Sequence, residues 1–138
     1  MNLISGINIT GSALNAEKIR MDVIAQNIAN AHTTKGADGK VYQRKVVSFQ
    51  SILDKSSNGS AATQGVRVAK ISADQTRGET IYNPSDPSAD KSGNVEMPNV
   101  NLATEMVDLV GSSRAYEANL SVIRNAKQMA SKALTIGH

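Results

Sequence analysis

The sequence predicts a mainly α-helical fold with a small β insert, its N- and C-terminal helices paired as a coiled coil and its centre made of strands and loops. Three observations carry this. Apolar residues repeat at helical spacing at both ends of the chain. Between the ends, residues 32–100 change to short β-branched runs punctuated by Gly, Pro, Ser, Asn and Asp. Aromatic residues are scarce, with one Phe, three Tyr and no Trp in 138 residues, which excludes a dense aromatic core. The division that follows is a helical assembly domain of residues 1–31 plus 101–138, carrying the insert 32–100.

In the first helical segment Ile7, Leu14, Met21 and Ile28 stand seven residues apart, joined by Ile24 and Ala25. Ile19 and Val23 form a second apolar line on another side, so one partner helix would not cover this helix. Ser12 suits an N-cap, and Gly6 and Gly11 weaken helix before it. The firm helix is therefore placed at 12–31, about 30 Å long, with residues 1–11 loose in the free chain.

The insert offers candidate strands at 41–49, 66–72 and 79–82, with 54–64 read as an exposed polar loop. Fifteen large apolar residues serve the whole segment, so its core is thin or leans on a neighbour.

Asn101 is placed to cap the last helix, whose first turn holds Glu105 and which is expected over 102–135, about 50 Å. Alternating steps of four and three residues pass through Leu102, Met106, Leu109, Ser113, Tyr116, Leu120, Ile123, Lys127, Ala130 and Leu134. Eight of these ten are apolar, a 3.5-residue repeat of the coiled-coil kind. Val122, Ala126, Met129, Ala133 and Ile136 add a further apolar line in the last half. Early Glu105 and Asp108 with late Arg124, Lys127 and Lys132 match the helix dipole. Because the shorter helix cannot cover the longer one, the pattern favours an obligate assembler over a monomeric helical hairpin.

Chemistry finds little support. With no Cys there is no disulfide, thiolate metal site or cysteine nucleophile. The net charge of +3 divides as 0 over 1–30, +2 over 31–100 and +1 over 101–138, with no basic block of the kind a nucleic-acid groove needs. The opening run MNLISGINITGSAL has neither a basic n-region nor a continuous apolar h-region, so no conventional secretion signal and no membrane insertion are expected. His32 and His138 are isolated. The run KGADGKV has the wrong spacing for a phosphate loop and reads as a turn, while Asp86 and Asp90 lack the remaining ligands of a calcium loop. No catalytic, metal or cofactor set can be assembled, and the chain reads as a non-enzyme without a cofactor. Arg114 and Glu117, three apart, suit a solvated or interface ion pair, and Tyr116 suits either plain packing or a subunit interface.

Two runs carry a resemblance. ALNAEKIRMDVIAQNIANAHTTKG, followed by DGKVYQRKVVSF, resembles the bacterial flagellar rod, hook and related axial proteins, with Ala29, Asn30, Thr33 and Gly36 matching their ANxxT motif and its nearby Gly. The run from Tyr82 to Leu134 is similar to the C-terminal half of rod members of that family, through Pro98, Asn99 and Asn101 of PNVN, Glu105 of EMVDL, and Arg114, Glu117 and Asn119 of RAYEAN. Ser85, Asp86 and Asn94 depart from the His and Tyr common there. The resemblance implies a non-enzymatic rod subunit of the basal body, in the periplasm-spanning rod. Such a subunit is exported unfolded by the flagellar type III apparatus and assembles as a helical tube with copies of itself and other proximal-rod proteins. A membrane-ring adaptor at the rod's base is a further implied partner. The rival function is a soluble coiled-coil adaptor that binds one partner helix. For either, the expected interface comprises Ile7, Leu14, Met21, Ile24 and Ile28 on the first helix. On the second it comprises Leu102, Met106, Leu109, Tyr116, Leu120, Ile123, Met129 and Leu134.

Overall fold

A computed structural model describes the backbone of residues 3–55 and 61–136, and the side chains of 6–52 and 65–135. Helix α1 spans Leu3–Ala29 and helix α2 Leu102–Ile136. Between them lie β1 (Lys45–Lys55), β2 (Ala61–Ala73), β3 (Thr80–Tyr82) and β4 (Asn94–Glu96). Strands β1 and β2 form one two-stranded sheet, and β3 and β4 another, antiparallel, with Thr80 opposite Glu96, Ile81 opposite Val95 and Tyr82 opposite Asn94. Two terminal helices with small sheets between them are therefore observed, with roughly half of the chain helical.

Helix α1 departs from expectation at its start. It begins at Leu3, not at residue 12, and its 27 residues span about 40 Å. Ser12 is not a cap but an interior residue, whose hydroxyl donates to the Ile9 carbonyl at 2.7 Å and accepts the Val66 N–H at 3.0 Å. A helical glycine costs only about 1 kcal/mol relative to Ala, a local penalty that a tertiary anchor of this kind offsets. The approach of β2 is close enough to need glycine at position 65. There φ is +148°, and a Cβ would overlap the Ser12 hydroxyl and lie 3.1 Å from the Ser12 Cβ.

The strands also differ from the sequence reading. The first is shifted to 45–55, the second is longer than 66–72, and β4 was not anticipated. Of the expected loop 54–64, residues 54–55 and 61–64 belong to strands, and 56–60 lie outside the described residues. Helix α2 starts as expected: the Asn101 side-chain oxygen accepts the Thr104 N–H at 3.1 Å, and its carbonyl accepts the Glu105 N–H at 3.0 Å.

The chain divides into two compact units. The first comprises Met1–Met21, Ser48–Lys70 and Gly111–His138, and the second Asp22–Val47 and Ile71–Val110. Among the described residues, the buried apolar side chains are Ala16 in the first unit and Val23, Ile24, Ala31 and Val95 in the second. None is aromatic. No helix of the described residues is long and apolar enough to cross a membrane.

Candidate assembly site

The most buried large side chains are polar, and two of them meet in the second unit. Asn27 and Glu105 are both fully buried, at 0 % exposure. Asn27 lies on the face of α1 that also buries Val23 and Ile24, one turn away, so its amide must find partners. It finds four: its Nδ2 donates to the Lys45 carbonyl at 2.9 Å and to Glu105 Oε2 at 3.0 Å, while its Oδ1 accepts the Lys45 N–H at 2.8 Å and the Tyr42 hydroxyl at 2.9 Å. One amide thus exhausts its hydrogen-bonding capacity on the start of β1 and the first turn of α2. Glu105 is neutralised by Arg44, whose Nε donates to Oε1 at 2.5 Å and whose second guanidinium nitrogen lies 3.6 Å from Asp108.

Asn99 clamps the other side of the same unit. Its Oδ1 accepts the Arg44 N–H at 2.7 Å, and its Nδ2 donates to the carbonyls of Asp74 at 3.1 Å and Thr76 at 2.8 Å. Pro98 beside it is buried. The ANxxT residues close α1. Asn30 Nδ2 donates to the Gln26 carbonyl at 2.9 Å, the Thr33 hydroxyl donates to Asn30 Oδ1 at 3.2 Å, and the Tyr42 N–H returns to the Thr33 carbonyl at 3.2 Å. Within that return, Gly36 donates to the Lys40 carbonyl at 2.8 Å, so KGADGKV is a turn. The turn delivers Tyr42 and Arg44 to the buried pair. Ala29 is exposed.

Asp86 and Asp90 spend their side-chain oxygens on local N–H groups, those of Ser88 for Asp86 and of Ser92 and Asn94 for Asp90, all at 2.8–2.9 Å. Among the described residues no group of three or more potential ligands could hold a metal ion. Arg114 and Glu117 are both exposed and do not pair with each other; the ion pairs among the described residues are those of Arg44.

Burial, and then the charge of Glu105, raise the Tyr42 hydroxyl above its ordinary 10.0. A folded-state value above the unfolded one gives stability that is complete below pH 10 and is lost as pH rises through the raised value. Urea titrations of the purified chain should therefore show stability falling above pH 10, and Tyr42→Phe should flatten that limb while costing about 1 kcal/mol at neutral pH through the lost hydrogen bond to Asn27. An unchanged alkaline limb in the variant would assign it to another group.

Of the expected interface residues, Ile24 is buried, and Ile7, Leu14, Met21 and Ile28 on α1 are half-buried. On α2, Leu102, Leu109, Tyr116, Leu120 and Ile123 are half-buried, whereas Met106, Met129 and Leu134 are exposed, Leu134 at 74 %. The face of α2 covered within the chain is thus turned towards Glu105, Ser112 and Asn119, each seven apart, of which the first two are buried and the third half-buried. Sequence periodicity scored apolar positions and passed over this polar line. Asn27, one turn from Val23 and Ile24, was the available signal.

Two helices flank a β insert and are tied in the second unit by a buried polar cluster, and the family models that match this chain are those of the axial class of structural subunits. Residues 7–37 match the family model of the flagella basal body rod protein, and residues 91–136 that of the flagellar basal body rod FlgEFG protein C-terminal region. The chain is 43% identical to the flagellar basal-body rod protein FlgC of Bacillus subtilis over 99% of both chains. It is 43% identical to that of Borreliella burgdorferi over 99% of this chain and 98% of the relative, and 42% identical to that of Escherichia coli O157:H7 over 99% of both. The chain belongs to the FlgC family of flagellar basal-body rod proteins. It is a structural subunit of the basal-body rod and not an enzyme.

Proposed function

We propose that this rod subunit is exported unfolded by the flagellar type III apparatus and then stacks helically, through its terminal helices, with copies of itself and with other proximal-rod proteins. The terminal helices pair as a coiled coil, residues 1–31 and 101–138 acting as the assembly domain and 32–100 as an outward insert. At its base the tube meets a membrane-ring adaptor, and along its length it transmits torque from membrane ring to hook and filament. The observation that carries this reading is α2 itself. Met106, Val107, Val110, Val122, Met129 and Leu134 are large apolar side chains exposed along one 35-residue helix. Covering apolar surface contributes about 25 cal/mol per Å², so large apolar side chains left exposed along this helix favour a partner that covers them. Repeating contacts across a tube are heterologous, so each subunit needs several different apolar faces.

Leu120→Glu tests the reading. Leu120 is half-buried on α2, midway between Tyr116 and Ile123. Truncating a buried Leu costs about 2–5 kcal/mol, an unpaired carboxylate costs more, and the penalty recurs at every subunit added. Completed rods should vanish while secretion of the chain continues, as measured by basal-body counts beside secreted protein. Normal rods would remove this face from the interface, and loss of secretion at normal expression would make it an export determinant.

A further inference from the structure

We propose that neighbouring copies of this chain meet head to tail through opposite charge, the basic first unit of one copy lying on the acidic β3–β4 segment of the next. The inference rests on the rod reading above and specifies the contact within it. The first unit holds nine Lys and Arg against three Asp and Glu, and the second six against nine. In the first unit Arg67, Lys70, Arg114, Arg124, Lys127 and Lys132 are exposed, and none belongs to an ion pair among the described residues. In the second unit Arg44 is committed internally to Glu105 and Asp108. That leaves Glu79, Asp90 and Glu96 exposed on segment 79–96, where Lys91 is the single cation.

Apolar surface accompanies both charges. On the acidic segment Ile81 is exposed beside its buried cross-strand partner Val95, and Tyr82, on the other face of β3, is 71 % exposed. On the last half of α2, exposed Val122, Met129 and Leu134 stand among Arg124, Lys127 and Lys132. Exposed apolar side chains thus accompany the acidic charges of one segment and the basic charges of the other, a composition suited to a protein contact. A two-fold contact that laid either unit on its own copy would bring like charges together. A heterologous contact does not, and it propagates.

The test uses cells in which this chain is the sole copy. Arg124→Glu with Lys127→Glu reverses the basic side, Glu79→Lys with Glu96→Lys reverses the acidic side, and a combined variant swaps both. All four positions are exposed, and unchanged circular dichroism of the purified chains verifies the fold. Each one-sided variant should lower completed rods about tenfold at unchanged secretion, and the combined variant should recover to within about twofold of the unsubstituted chain. A one-sided variant with normal rod counts overturns the contact while the rod reading stands. So does a combined variant no better than the one-sided ones, because the two surfaces then meet other chains, and so does lost secretion, because the charges then serve export. An unsubstituted chain that builds no rods overturns both inferences.

Discussion

Glu105→Ala is expected to destabilise the second unit by about 3 kcal/mol, the cost of leaving the buried Asn27 donor short of an acceptor and the half-buried Arg44 without its carboxylate. The variant strands two groups at once. Arg44 Nε loses its carboxylate, and Asn27 Nδ2 loses one of its two acceptors inside a fully covered site. Glu105→Gln retains an acceptor for Asn27 and should lose less, whereas Glu105→Leu combined with Arg44→Met removes both charges and should recover most of the loss. Urea unfolding gives the energies, and amide protection at residues 22–47 and 71–110 locates them. A loss below about 1 kcal/mol for Glu105→Ala would mean that the pair is worth no more than an exposed one.

Gly78→Ala should destabilise the same unit by about 3 kcal/mol, at the upper end of overpacking. A Cβ at this position would overlap the Met97 carbonyl oxygen and lie 2.8 Å from the Met97 carbonyl carbon and 2.9 Å from that of Pro98. These are backbone atoms, which no rotamer change can move. The same carbonyl belongs to the residue whose N–H bonds Glu79 at 2.8 Å, so displacing it disturbs the register of β3 on β4 and the approach of Asn99 to Arg44. At Gly111, by contrast, an added Cβ meets nothing within 4 Å, and the same substitution should stabilise α2 by about 1 kcal/mol. Thermal or urea midpoints of the two variants should move in opposite directions. A neutral Gly78→Ala would show that β3 and β4 separate at little cost.

The parts of the fold that were legible are those governed by local rules. Leu102 to Leu134 repeats at helical spacing because α2 keeps one register for 35 residues, and Asn101 caps it because a short amide side chain preceding a helix reaches the free N–H groups of the first turn. The turn in KGADGKV was legible for the same reason. The start of α1 was not. Gly6, Gly11 and Ser12 are weak helix signals on their own, and Ser12 is held within the helix by Val66, 54 residues away. Strand β4 was missed because three residues are too few to display an alternation, and its register depends on β3. Asn27 was overlooked because a periodicity that scores apolar residues counts a buried amide as a gap in the pattern, although its four bonds are what tie β1 to both helices.

By itself the sequence determined the helical ends, because apolar spacing states them directly, and its terminal runs carried the resemblance to the family. Tertiary structure alone decided which side chains lie inside and which basic stretches come together. Along the chain, residues 71–110 hold two Lys and Arg against seven Asp and Glu, while basic stretches stand near 18–20, 67–70 and 114–132. Folding gathers the three basic stretches into one compact unit and leaves most of the acidic residues in the other. Electrostatic interactions depend on distance in space rather than along the chain, so the acidic run is legible in the sequence whereas the gathering of the basic stretches exists only once the fold has formed.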